Sequence, residues 1–160
     1  MKSARARPRA GEIAGSVETI YAFIRAAEAD AQPDANGIYC PRPATLLAAR
    51  DYFPQVYPRL VEILQLVGSS SLMAIPTEAT FESSIGTEAE TYFQSATLGG
   101  KERVRLFRLA WDIACSAFAG RQVLYERFFT GDPFRNPATR YVGYDKSEAV
   151  ALAEDLLRRA

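Results

Sequence analysis

Residues 101–135, KERVRLFRLAWDIACSAFAGRQVLYERFFTGDPFR, constrain the fold of this chain more than any other stretch. Apolar side chains recur at Val104, Phe107, Trp111, Ala114, Phe118, Tyr125 and Phe128, near the three-then-four spacing that builds one buried helix face. The spacing predicts a single long helix. Gly131 falls where a helix C-terminus wants a left-handed residue, and Pro133 cannot continue the helix. Asp132 and Arg135 are therefore expected at an ordered corner, the first candidate for a ligand contact. Leu106, Leu109 and Leu124 lie outside the stripe, and Phe129 extends it. A helix apolar over so wide an arc packs against several neighbours or across a subunit boundary. The chain is thus expected to oligomerise or to be one piece of a larger protein.

Several function classes fall away on composition. Nineteen basic residues balance nineteen acidic ones, so no general field favours nucleic acid or a membrane surface. The longest apolar runs are too short to span a bilayer. With no histidine, the chain lacks the commonest general base and the commonest metal ligand. Cys40 and Cys115 have neither disulfide-framework nor metal-ligand spacing, which fits reduced thiols in a cytoplasmic setting. No catalytic residue and no metal ligand is assigned.

Residues 1–9, MKSARARPR, carry four cations and no acid, and are expected to be a disordered basic arm. Residues 10–160 are expected to form one helical bundle. A first helix runs from Gly11 to about Asp30, and Gln32–Pro43 is a loop. A second helix spans about Ala44–Val67 and closes at Gly68. Pro54 and Pro58 should kink or divide it near Phe53, because each removes a backbone donor. One or two short turns fill 77–98, with Thr77 as a candidate N-cap and Phe81, Tyr92 and Phe93 as anchors. Asn136–Tyr144 reads as extended, and a last helix covers about Lys146–Arg159 with Asp145 as its cap. No strand series is visible, so the fold class is all-α. Trp111 and Cys115 are expected in the core, and Tyr141 and Tyr144 against the bundle. Arg108 with Asp112 reads as a surface ion pair, and Arg121 with Glu126 as a solvated or interface salt bridge.

Two long segments carry a resemblance. WDIACSAFAGRQVLYERFFTGDPFR and ARDYFPQVYPRLVEILQLVGSSSLMAIPTE are similar to the C-terminal domain of the 4-hydroxyphenylacetate 3-monooxygenase oxygenase component family. The likeness runs from about Gly11 to the end and covers roughly the last third of a family member. It implies the acyl-CoA dehydrogenase C-terminal type of up-down helical bundle, here incomplete by one helix and completed by oligomerisation. It also implies a role in holding flavin adenine dinucleotide (FAD), supplied reduced by a partner flavin reductase for the ortho-hydroxylation of a phenol.

Two motifs carry over. Gln65-Leu66-Val67-Gly68-Ser69-Ser70-Ser71 is similar to the Gln-x-x-Gly-Gly-x-Gly turn near the dinucleotide in that superfamily, with serines at two glycine positions. By resemblance, Gln65, Gly68, Ser69 and Ser70 are candidate cofactor contacts. Asp132-Pro133-Phe134-Arg135 matches the corner that touches flavin in the family, which makes these four residues the second candidate set. On spacing alone, the first motif reads equally as a helix cap, and the second as a helix stop with Arg135 paired to a surface acid. The residues that bind phenol in the family lie outside this chain, so the chain alone is expected not to hydroxylate. Two other readings stay open: a stand-alone helical assembly protein without catalysis, and a domain of a 4-hydroxybutyryl-CoA dehydratase-like enzyme. The oligomer would be a dimer or a tetramer.

Overall fold

The computed structural model describes residues 6–159. Helix α1 (Ala6–Ala29) begins inside the basic segment expected to be disordered, so Arg7 and Arg9 are helical. Residues 1–5 lie outside the described residues. The Pro-Asn-Gly loop holds a small feature not expected from the sequence. Strands β1 (Gln32–Pro33) and β2 (Tyr39–Cys40) pair antiparallel, around a turn in which Asp34 Oδ1 accepts from the backbone N–H of Asn36 and Ile38 at 2.8 and 2.9 Å. Gly37, at φ 79°, supplies the left-handed residue that turn needs.

Helix α2 (Pro43–Gly68) is the spine of the molecule. Pro54 and Pro58 sit inside it, and the expected division near Phe53 does not occur. Helix α1 packs along α2 from one side, and α5 (Gly100–Ala114) and α6 (Ala117–Phe128) also lie against it. That packing, with Pro54 itself buried, offsets the hydrogen bonds the prolines cannot make. The end of α2 passes into a 3₁₀ turn, Ser69–Leu72.

Two short helices, α3 (Glu78–Glu82) and α4 (Gly86–Phe93), follow, with Thr77 at the N-cap position of α3. Phe81 is half-buried with Lys101 Nζ 6.0 Å from its ring centre, but Tyr92 is 82% exposed and anchors nothing. Helix α4 fixes the start of α5. The Glu90 carboxylate accepts from the N–H of Gly100 at 2.6 Å and of Lys101 at 3.0 Å, placing an anion where α5 has unpaired donors.

The long helix expected over 101–135 is two helices. Ser116 breaks it: its backbone is extended, its Oγ accepts from the N–H of Ala119 at 3.1 Å, and its hydroxyl donates to Asp112 O at 2.8 Å. An N-cap in the middle of an unbroken apolar stripe is the local signal that the periodicity overrode. The extended stretch expected at Asn136–Tyr144 is instead helix α7 (Arg135–Gly143). The last helix, α8 (Ser147–Arg159), starts as expected, with Asp145 Oδ1 accepting from Ser147 N–H at 3.0 Å. Hydrogen bonds to that backbone and side chain hold the Asp145 carboxyl below its ordinary value.

The all-α class holds, but the core is thin. Ile63 is the only large side chain among the described residues that is fully buried. Trp111 is 38% exposed, and Phe118, on the expected stripe, is 65% exposed. Tyr141 and Tyr144 stand mostly in solvent rather than against the bundle, and Cys115 is half-buried. The expected Arg108–Asp112 and Arg121–Glu126 pairs do not form. Arg108 instead donates to the Pro76 carbonyl, and Glu126 accepts from Gln122 Nε2 at 2.7 Å. The accessible surface is 12,020 Å². Size scaling for a folded monomer of this mass gives about 7,900 Å². The difference is surface that a free-standing domain would have buried.

Candidate functional site

The two motifs occupy different ends of α2. At its C-terminal end, Gln65 Nε2 donates to Ala114 O at 2.6 Å, the carbonyl released where α5 gives way to α6. The amide expected to face a cofactor is therefore engaged in joining α2 to that break. Gly68 is required for packing, since a Cβ there would stand 2.5 Å from the Leu72 side chain. Ser69 has φ 53° and ψ −149°, a combination almost restricted to glycine. Serine thus holds a strained, glycine-type conformation at a position where the motif it resembles carries glycine. Ser70 is exposed, and its carbonyl accepts from the N–H of Met73 and Ala74.

The second motif is an ordered corner, as expected. Gly131 has φ 114°, and the Asn136 side chain lies within 2.9 Å of where a Cβ would be. Asp132 Oδ1 accepts from the N–H of Phe134 at 2.7 Å and of Arg135 at 3.4 Å, and Asp132 O accepts from Asn136 N–H at 3.0 Å. The carboxylate thus caps the start of α7, which is what orders the corner. Pro133 and Arg135 are exposed, and the Phe134 ring is 84% exposed. The Arg135 guanidinium has no partner among the described residues, so the surface ion pair that spacing allowed is not formed.

Helix α6 runs back along α2, bringing Glu126 near Tyr57, whose hydroxyl is pushed up by burial and then by that carboxylate. The corner therefore lies beside the N-terminal half of α2. Arg140 Nη2 approaches Asp51 Oδ2 at 3.1 Å across α7 and α2. From Tyr57, which Glu126 approaches, to Gly68 the axial rise is about 16 Å, which sets the two motifs well apart along α2.

Sequence reasoning missed a cleft of about 460 Å³ between the N-terminal half of α2 and α7. Arg50, Asp51, Asn136, Thr139, Arg140 and Tyr144 supply its polar and aromatic lining. The signal was present in the Arg50-Asp51 pair, which interrupts an otherwise apolar face of α2. Helical spacing from Asn136 to Arg140 would have completed it. Among the described residues there is no cluster of three or more His, Cys, Asp or Glu able to hold a metal ion, and no helix long and apolar enough to cross a membrane.

This chain is similar to known proteins along nearly its whole length. It is 43% identical over 155 residues to the 4-hydroxyphenylacetate 3-monooxygenase oxygenase component of Geobacillus sp. (strain PA-9), covering 96% of this chain and 31% of that relative. It matches a crystal structure of the oxygenase component of 4-hydroxyphenylacetate 3-monooxygenase complexed with FAD and 4-hydroxyphenylacetate, with TM-score 0.91 at 40% identity, over 98% of this chain and 33% of the other. A 4-hydroxybutyryl-CoA dehydratase from N. maritimus matches at TM-score 0.81 over 96% of this chain and 32% of that one, but at 19% identity it shares the fold alone. The fold is thus the acyl-CoA dehydrogenase-like helical bundle expected. The chain spans about a third of the length of these relatives. A family model for the 4-hydroxyphenylacetate 3-hydroxylase C terminal matches residues 3–158, and the chain belongs to that family.

Proposed function

We propose that this chain is the C-terminal oligomerisation and FAD-binding domain of a flavin-dependent monooxygenase that hydroxylates a phenol ortho to its hydroxyl. The observation that carries this reading is the likeness over 98% of the chain to an oxygenase complexed with FAD and 4-hydroxyphenylacetate. The local chemistry supports it. The ordered corner presents Arg135, a fork of five donors without a partner among the described residues, which suits phosphate oxygens. Asp132 keeps Oδ2 free to accept a hydroxyl, since both hydrogen bonds to its side chain use Oδ1.

Bound FAD, reduced by a separate flavin reductase, supplies the oxygen chemistry; this chain's residues bind and orient it. By the family resemblance the phenol-binding residues lie outside this chain, so the chain by itself is expected not to hydroxylate. Its surplus surface fits a homo-oligomer, a dimer or tetramer, in which neighbours complete the bundle. The separation of the motifs fits the same arrangement. A flavin at the Asp132–Arg135 corner of one chain would meet the Gly68–Ser70 turn of another, through backbone N–H groups rather than through Gln65. The absence of a charge excess is in keeping with a cytoplasmic enzyme that binds neither nucleic acid nor membrane.

A titration followed by flavin fluorescence tests this. The chain should bind FAD weakly, because a site shared with absent groups loses preorganised contacts. Arg135→Ala should weaken that binding by about tenfold, the worth of one charge-assisted hydrogen bond. An affinity unchanged by Arg135→Ala would remove the corner from the site.

A further inference from the structure

Another pocket, of about 230 Å³, opens between α3 and the first half of α5. Lys101, Arg105 and Arg108 recur every three or four residues along α5, so the helix turns all three cations onto one face beside it. Glu78 is the one acid in the lining. Among the described residues no ion pair includes any of the three cations, and Asp112, one turn beyond Arg108, pairs with none of them. Arg108 donates through Nη2 to the Pro76 carbonyl, and Lys101 Nζ lies 6.0 Å from the Phe81 ring centre. No hydrogen bond among the described residues involves the Arg105 guanidinium. Like charges at this spacing repel, and a bound anion would relieve them.

The walls of this pocket are built. Buried Val104 and the half-buried Phe81 ring give it an apolar lining. Phe81 is held by its own turn: Ser83 Oγ donates to Thr80 O at 2.8 Å, and Gly86 packs so closely that no Cβ would fit against Phe81 O. On the opposite wall the Glu90 carboxylate fixes the start of α5. A lining set before the ligand arrives lowers the ordering cost of binding. Three cations against one acid call for an oxyanion, and the planar fork of Arg105 matches a carboxylate or phosphate with two parallel hydrogen bonds. The apolar lining calls for a carbon body as well. The volume lies below the roughly 300–1,000 Å³ of sites for drug-sized ligands, so that body is about one ring in size.

We infer that the α3–α5 pocket binds a small organic oxyanion, with Arg105, supported by Lys101 and Arg108, on the acid group and with Phe81 and Val104 against the carbon body. A carboxylate and a phosphomonoester share this chemistry. The inference stands apart from the FAD reading, since the pocket shares no residue with the Gly68–Ser70 turn or the Asp132–Arg135 corner. The cations reach solvent, so the ligand can enter without a rearrangement and its affinity should fall as salt rises.

The test titrates the 160-residue chain by calorimetry with benzoate, phenyl phosphate, inorganic phosphate and benzamide, the uncharged counterpart of benzoate. Benzoate or phenyl phosphate should bind and benzamide should not. Arg105→Gln should cost about tenfold in affinity, and Arg105→Lys, which keeps the charge without the fork, should lie between. Glu78→Gln should strengthen binding about two- to fivefold by removing the one acid of the lining. Arg121→Gln, at an exposed cation on α6, should change nothing. Circular dichroism checks that each variant is folded, and Arg105→Lys serves if Arg105→Gln is not. Tighter binding of phenyl phosphate identifies a phosphomonoester, and tighter binding of benzoate a carboxylate; either supports the pocket. The inference is overturned if neither anion binds at millimolar concentration, if benzamide binds as well as benzoate, or if the Arg105 variants bind like the parent. Inorganic phosphate binding as tightly as phenyl phosphate overturns the assignment of a carbon body to Phe81 and Val104. FAD displacing the bound anion would make the pocket part of the flavin's site and overturn it too. FAD failing to bind while the anion binds through Arg105 leaves the pocket standing and refutes the cofactor reading alone.

Discussion

The surplus surface makes its sharpest prediction on α6. The helix turns Ala119, Val123 and Glu126 toward α2, while Leu124 and Phe128, one turn apart on the other side, are 59% and 53% exposed. Gly120, one turn before Leu124, has open space where a Cβ would be, so another backbone can approach it closely. Fully burying a leucine or phenylalanine is worth about 1.5–3 kcal/mol, and somewhat more than half of that remains to be gained at each position. In a two-fold interface each residue occurs twice, so four side chains contribute about 4–6 kcal/mol. At 1.4 kcal/mol per decade, the double variant Leu124→Glu/Phe128→Glu should weaken association by about 10³–10⁴-fold. Because both side chains already face solvent within one chain, its helical circular dichroism should survive. Sedimentation velocity across a concentration series reads the outcome. A monomeric parent chain, or a double variant that keeps the parent's oligomer at the same concentrations, would refute the argument that α6 is covered by a neighbour.

Three further outcomes follow from local geometry. Ser69→Gly should stabilise the chain by about 1 kcal/mol, since relief of a glycine-only backbone conformation exceeds the flexibility added to the unfolded chain. A melting temperature raised by about 2–4 °C would show it, and a decrease would mean that Ser69 is unstrained. Gly100→Ala should cost about 1–3 kcal/mol, because its Cβ would meet Glu90 O at 2.5 Å and push α4 off the start of α5; chemical denaturation measures this. Arg59 holds the Glu12 carboxyl below its ordinary value, through a hydrogen bond at 2.6 Å and then through its charge. A depressed carboxyl contributes stability above its unfolded pKa and loses it as pH falls through the folded one. Glu12→Gln should therefore lower the melting temperature at neutral pH and converge with the parent in acid; a gap that persists in acid would point to packing instead.

How much was legible in the sequence varied with the kind of signal. The extents of α2 and α8, the Asp145 cap and the Gly131 stop were readable because each is fixed by residues within a few positions. Where two local signals competed, the broader one misled. The apolar stripe through 104–128 hid the Ser116 cap, and of the kink or division that the proline pair suggested, the division does not occur. Asn136–Tyr144 reads as extended in the sequence, yet Asp132 caps a helix there and Tyr141 and Tyr144 stand in solvent. Placing Trp111 and Phe118 in a core failed for a different reason. An apolar stripe marks a face that favours burial, and within one chain that burial is incomplete. The cleft was invisible because it depends on α7 meeting α2, a contact between residues about ninety apart.

The fate of Gln65 bears on what a motif encodes. Breaking the long helix at Ser116 leaves the Ala114 carbonyl without its helical donor, and Gln65 supplies one. One turn later Gly68 admits the Leu72 side chain, which is almost fully buried, so the turn is gripped on both sides of Ser69. A serine can hold a glycine's conformation only where its surroundings overdetermine it. Gln65 and Leu72 are those surroundings. The Gln-x-x-Gly spacing therefore specifies a backbone path first, and any contact with phosphate falls to the N–H groups along that path. Within this chain, that grip is what lets a serine occupy a glycine-type conformation at position 69.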